Sequence, residues 1–144
     1  MNKSLLISSQ LFLPSIYFSL ITYKYSLTCS LVTTYIGSSL FYIYNKENNL
    51  FHKIDLITAR TTCIFNFIYT FLYIQPVYIS FILLHNVTLT YCISCMMYYN
   101  KNPLWYKMHI YFHIWANITA FITIYESYYQ NQINNEICIL QLRN

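Results

Sequence analysis

Residues 61–100, TTCIFNFIYTFLYIQPVYISFILLHNVTLTYCISCMMYYN, run for 40 positions without an Asp, Glu, Lys or Arg. A bilayer core about 30 Å thick is crossed by roughly 20 apolar residues of helix. The stretch is therefore too long for one span and the right length for parts of two. Gln75-Pro76 supplies the break, because proline lacks an N–H and disfavours helix in the residue before it. This predicts spans over 54–75 and 77–99. Working outward, the same unit recurs: 20 uncharged residues separate Lys3 from Lys24, 21 separate Lys24 from Lys46, and 18 run from 108 to 125. These predict further spans over 5–23, 26–44 and 108–125. The first is read as a signal anchor, since Lys3 and an apolar run precede no small-x-small cleavage site. The expected fold is an all-α membrane protein: a bundle of about five transmembrane helices over residues 1–126, then a short polar tail over 127–144.

Composition agrees. The chain has 144 residues with a formal net charge of +4, and only 8% are charged against 57% apolar and 20% aromatic. A soluble domain carries roughly 25% charged residues. The shortfall excludes a disordered chain, a nucleic-acid binder with a basic face and an ordinary cytosolic enzyme. Gly37 is the one glycine, so no glycine-rich phosphate loop can form and close small-residue contacts of the GxxxG kind are not expected. Four of the five cysteines lie inside hydrophobic stretches, which argues against a secreted disulfide framework. Loop cations set the orientation. With the N-terminus inside, Lys3, Lys46, Lys53, Arg60, Lys101 and Lys107 collect on the inner side, while Lys24 and Arg143 stay outside. The expected location is an integral membrane, and the sequence names no oligomeric partner.

Polar groups at membrane depth are costly and are functional candidates by default. At about 1.5 Å per residue, Ser39 lies roughly 7 Å from the inner end of its span. His109 and His113 lie about 3 and 9 Å into theirs, and Asp55 falls in the first turn of the span over 54–75. Three separated segments thus place polar groups in one layer. His109 and His113 share a helix face and can chelate one metal, or they can be two interfacial histidines wetted by headgroup water. Asp55 can be a third ligand or a helix cap. Ser38 and Ser39 can hold a substrate carbonyl or return their hydroxyl bonds to the backbone four residues earlier. Two histidines with one carboxylate form a hydrolytic zinc set with water in the fourth position. Such an ion lowers the pKa of its bound water and polarises a carbonyl. His85 lies too deep to join the layer and is read as a core histidine beside Asn86. Cys92 and Cys95 are read as packing, and Arg60 as a side chain reaching for the inner headgroups.

Those residues resemble a known superfamily. Gly37-Ser38-Ser39-Leu40-Phe41-Tyr42 resembles the G-S-x-x-F-H signature that ends the second helix of the alkaline ceramidases. Asp55 resembles the Asp that opens the third helix in that superfamily, which includes the adiponectin and progestin receptors. His109-Ile110-Tyr111-Phe112-His113 resembles the histidine pair of its last helix. The resemblance implies an intramembrane zinc site and hydrolysis of a lipid amide or ester. Ser38 would then be the polar partner near the zinc, Asp55 would orient the water, and His109 and His113 would be ligands. Two departures stand out: the superfamily has seven helices, and its zinc-ligating histidine at the end of the second helix is Tyr42 here. A direct Asp55 ligand, a tyrosinate or His52 from the preceding loop could substitute. The alternative is a non-catalytic structural or interaction protein that keeps the scaffold of a degenerate metal site.

Overall fold

The computed structural model describes residues 7–43, 50–73 and 77–141; the side chains of Tyr42 and His52 lie outside what is described. Among the described residues five long helices follow in order: α1 Phe12–Ile21, α2 Tyr25–Ile43, α3 Leu50–Tyr73, α4 Val77–Tyr99 and α5 Trp105–Gln141. Among the described residues there is no strand. The protein is all-α. The widest helix pairings are α4 with α5 and α2 with α3, and α1 is laid against α2 and α5. Phe12, Ile16, Leu27, Leu31, Ala120 and Ile124, from α1, α2 and α5, form the main apolar cluster.

Two of the connections are Schellman turns built without glycine. At the end of α1, the N–H of Lys24 donates to the Ser19 carbonyl (2.9 Å) and that of Tyr23 to Leu20 (3.1 Å). Tyr23 takes the left-handed conformation, φ 57°, as the residue after the cap does in this motif. After α4 the pattern repeats: Asn102 donates to Met97 (2.9 Å), Lys101 to Tyr98 (3.0 Å), and Lys101 has φ 52°. The Asn102 side chain then accepts from the backbone N–H of Leu104 at 2.9 Å. With Pro103 beside it, this opens α5 in the usual Asx-turn manner.

The chain's single glycine serves helix contact instead. A methyl group at Gly37 would meet Thr58 Oγ1 of α3 at 2.5 Å. Around it, α2 and α3 are laced by small polar side chains at helical spacing. Ser30 reaches Asn66 (3.5 Å), Thr34 donates to Thr62 (2.8 Å) and Ser38 donates to Asp55 (2.7 Å). Similar contacts join the other helices: Ser19 with Thr28, Ser15 with Asn117, and Thr70 with Thr123. Among the described residues, 17 buried side chains are polar and 12 are apolar. Large apolar side chains such as Ile57, Ile64, Leu72, Phe81 and Ile82 lie more than half exposed. The interior is thus the more polar side of this bundle.

One helical stretch, Tyr78–Tyr99, is by itself long and apolar enough to cross a membrane. The other four segments expected to span fall short of that test among the described residues. Ser and Thr, many of them buried, lower the mean, and α1 with its approach, Ile7–Ile21, is short. The expected spans over 26–44 and 77–99 sit close to the limits of α2 and α4, whereas the span expected over 5–23 corresponds to the shorter α1. The expected polar tail is helical instead: residues 127–141 continue α5. Its first turns are docked, because Ser127 is fully buried and Gln130 donates to the Tyr73 carbonyl at 2.6 Å. Lys24 joins this end too, donating through Nζ to the Ser127 carbonyl at 3.2 Å, with the Tyr73 ring 6.0 Å away.

Replacing Gly37 with Ala is expected to cost about 1–3 kcal/mol by overpacking. Thr58 cannot turn away without loosening its 3.0 Å bond to the Asp55 carbonyl. Adding Thr58→Ala to the same chain should recover most of the loss, read as unfolding in mild detergent. Burial holds the Lys24 ammonium below its ordinary value of 10.5, so the unfolded chain binds that proton more tightly than the folded one. Stability therefore rises as pH climbs from the lowered value toward 10.5. The wild-type minus Lys24→Met difference in thermal midpoint should show that rise.

Candidate functional site

The C-terminal end of α2, the N-terminal part of α3, the end of α4 and the start of α5 line a crevice whose enclosed volume is about 30 Å³. Ser38, Asp55 and His109 all line it. Three residues of the layer expected from sequence depth thus share one crevice. Ser38 is 2% exposed and Asp55 5%, and the Ser38 hydroxyl donates to Asp55 Oδ1 at 2.7 Å. Its proton goes across to the neighbouring helix rather than back to its own backbone. Asp55 is not a helix cap, because α3 begins at Leu50 and has no acidic residue in its first turn. A buried carboxylate needs a donor, and Ser38 supplies one.

The two histidines divide. His109 lines the crevice and its Nδ1 shares a hydrogen bond with the Ser94 hydroxyl of α4 at 3.0 Å. His113 is wholly buried and does not line the crevice. Its Nδ1 shares a hydrogen bond with the Ser8 hydroxyl at 2.9 Å, and the Phe12 ring meets it edge-on at 5.4 Å. The rings of His109 and His113 are nonetheless neighbours, with centroids 4.7 Å apart at 64°. A hydroxyl on Nδ1 fixes each ring, as outer partners do for histidines that ligate through Nε2.

The donor types suit zinc, which takes imidazole and carboxylate. The geometry goes part of the way. The imidazole pair is in place, but among the described residues no three His, Cys, Asp or Glu side chains form a group that could hold a metal ion. The expectations for Tyr42 and His52 fall on side chains outside the described ones. Ser39 turns away from the crevice toward the Ser9 hydroxyl at 3.3 Å. His85, expected in the core, is exposed on α4, and its neighbour Asn86 donates to the Ile82 carbonyl at 2.8 Å. Cys95 lines the crevice and Cys92 is exposed. Arg60 is exposed and does not line the crevice.

Sequence reasoning missed Ser94 and Ser8. Each is one more serine in a serine-rich chain, and only the fold sets it against a histidine. The aromatic lining, Tyr91, Tyr98, Tyr99 and Trp105, was equally hidden, because 20% aromatic content makes such residues common everywhere. No family model, curated protein or solved structure matches the chain.

Ser38→Ala should cost about 1–3 kcal/mol, the usual result of taking a hydrogen-bond partner from a buried polar group. Ser39→Ala, whose contact is longer and only half-buried, should cost less than about 0.5 kcal/mol. Equal losses in an unfolding series in detergent would remove the pairing from its place in the site.

Proposed function

We propose that the chain is a multi-pass membrane protein whose five helices lie in the bilayer with the N-terminus inside. The crevice acts as a ceramidase-like, metal-dependent hydrolase site for a lipid amide or ester. What supports the membrane reading is the inverted distribution of side chains, with hydroxyls turned inward and large apolar groups outward. Helix association in lipid relies on small residues and interhelical hydrogen bonds, since the surrounding tails are as apolar as leucine. What supports the site reading is one observation above the rest. The hydrogen-bonded Ser38–Asp55 pair opens into the same crevice as His109, with His113 against it.

In this reading His109 and His113 hold zinc, with Asp55 as the third donor or as the group that orients water. The ion, when bound, supplies an acidic water and a polarised carbonyl. The protein's own contribution follows from the hydrogen bonds. Ser38 spends its proton on Asp55 and so fixes the carboxylate rotamer instead of donating to substrate. Asp55 takes a proton from water through its other oxygen, as a positioned general base does. Ser94 and Ser8 hold the two imidazoles in orientation. A lipid entering between helices would leave its acyl chain against the apolar exterior and bring its amide or ester to the layer of Ser38.

A second reading has its own support. The missing three-donor group among the described residues and Tyr42 in place of a histidine both favour a non-catalytic membrane protein that keeps the scaffold of a degenerate site. Metal analysis of the full chain, purified in mild detergent, separates the two. The hydrolase reading expects close to one zinc per chain, lost on His109→Ala with His113→Ala. Wild-type protein without bound metal would leave the scaffold reading standing.

A further inference from the structure

The geometry points to a second property of the crevice: it binds an organic ammonium group, quaternary or alkylated, through an aromatic wall and the charge of Asp55. This inference uses the same cavity but depends on neither a metal nor hydrolysis. The wall is continuous. Tyr99 meets Tyr98 at 5.9 Å, Tyr98 meets Trp105 at 5.1 Å and Trp105 meets His109 at 5.8 Å. His109 meets Phe112 at 5.6 Å, and Phe112 meets Tyr91 at 5.2 Å. Successive planes stand at 53° to 78° to one another, so the rings bend around the space rather than stacking flat. All six of these residues line the crevice.

Charge decides what such a wall recognises. Among the described residues lining the crevice, Asp55 alone carries a formal charge; the exposed Arg60 cation lies outside the lining and interacts with the Tyr91 hydroxyl. An anion would meet a carboxylate and ring faces of negative potential. A neutral group would gain apolar contact only. A weakly hydrated ammonium gains from both, because cations are drawn to aromatic faces and more strongly so where water is displaced. The carboxylate adds attraction in a site of low dielectric. The enclosed space is small, about 30 Å³, so the site takes the ammonium head alone and leaves the rest of the molecule at its mouth. The ammonium can arrive on a lipid headgroup or as a free small molecule, since the recognised chemistry is the same.

The test uses the full chain in non-ionic detergent, chelator-treated so that loss of metal and loss of ammonium binding are read separately. Trp105 fluorescence reports binding in a Trp115→Phe background. Choline is titrated against its uncharged carbon isostere, 3,3-dimethylbutan-1-ol. Lysophosphatidylcholine is titrated against lysophosphatidylglycerol. The expected result is a preference of at least about tenfold for the ammonium member of one pair or both. A preference in the lipid pair alone assigns the group to a headgroup, and one in the choline pair assigns it to a free amine. Asp55→Asn should weaken binding by about tenfold. Tyr98→Leu should do the same and Tyr98→Phe should restore it, which guards against misfolding of the carboxylate variant. Equal binding of the charged and uncharged members of both pairs overturns the inference, as does the absence of binding by every ammonium probe.

Discussion

A hydroxyl turned into a helical bundle must find a partner, and that constraint organises this protein. Ser30, Thr34 and Ser38 on α2 face Asn66, Thr62 and Asp55 on α3. A slip of α2 against α3 would break several of these contacts at once and drive the Gly37 backbone into Thr58. Each such bond contributes only about 1 kcal/mol net, so the ladder's value lies in register more than in strength. That register brings the Asp55 carboxylate to the C-terminal end of α2, opposite Ser38. The same economy appears at the other end, where Lys24, Tyr69 and Gln130 fasten α5 to the α1–α2 turn and the end of α3.

The helices were legible because charge and proline punctuate this sequence. The expected span over 26–44 corresponds to Tyr25–Ile43, and the break at Pro76 separates Leu50–Tyr73 from Val77–Tyr99. The end of α5 was not legible. Residues 127–144 read as a polar tail, and Ser127 and Gln130 reveal their docking only through partners on α3 and in the α1–α2 turn, far away in the chain. Among the described residues, mean hydropathy singles out Tyr78–Tyr99 alone. A window average does not record which way a serine faces, so Ser- and Thr-rich helices score low whatever surrounds them.

The site was legible in depth but not in direction. Counting residues from helix ends placed Ser38, Asp55 and His109 in one layer, and all three line one crevice. It placed His113 there as well. Four residues of α-helix turn through about 400°, so His113 is rotated by roughly 40° from His109. That modest angle is enough to carry its ring from the crevice wall to the α1 side, against Ser8 and Phe12. Two imidazoles on one face are therefore neighbours without sharing a cavity. For the proposed zinc site the fourth-residue spacing settles proximity, and the packing of α1 settles where each ring points.

The α4–α5 turn links the backbone to the aromatic wall. Tyr98 ends one helix and Trp105 begins the next, and their rings meet at 5.1 Å only because the chain reverses within a few residues. The reversal requires Lys101 in the left-handed region, at a cost of roughly 1–2 kcal/mol for a residue with a Cβ. That cost is borne because the turn satisfies the carbonyls of Met97 and Tyr98 and Asn102 caps the helix that follows. A tight, hydrogen-bonded turn holds Tyr98 and Trp105 at a fixed distance, whereas a longer glycine linker would let them drift. The crevice thus draws its shape from two close constraints, the α2–α3 ladder on one side and this turn on the other. His109 belongs to both its polar floor and its aromatic rim, since it meets Trp105 and Phe112 in the aromatic wall and shares a hydrogen bond with Ser94.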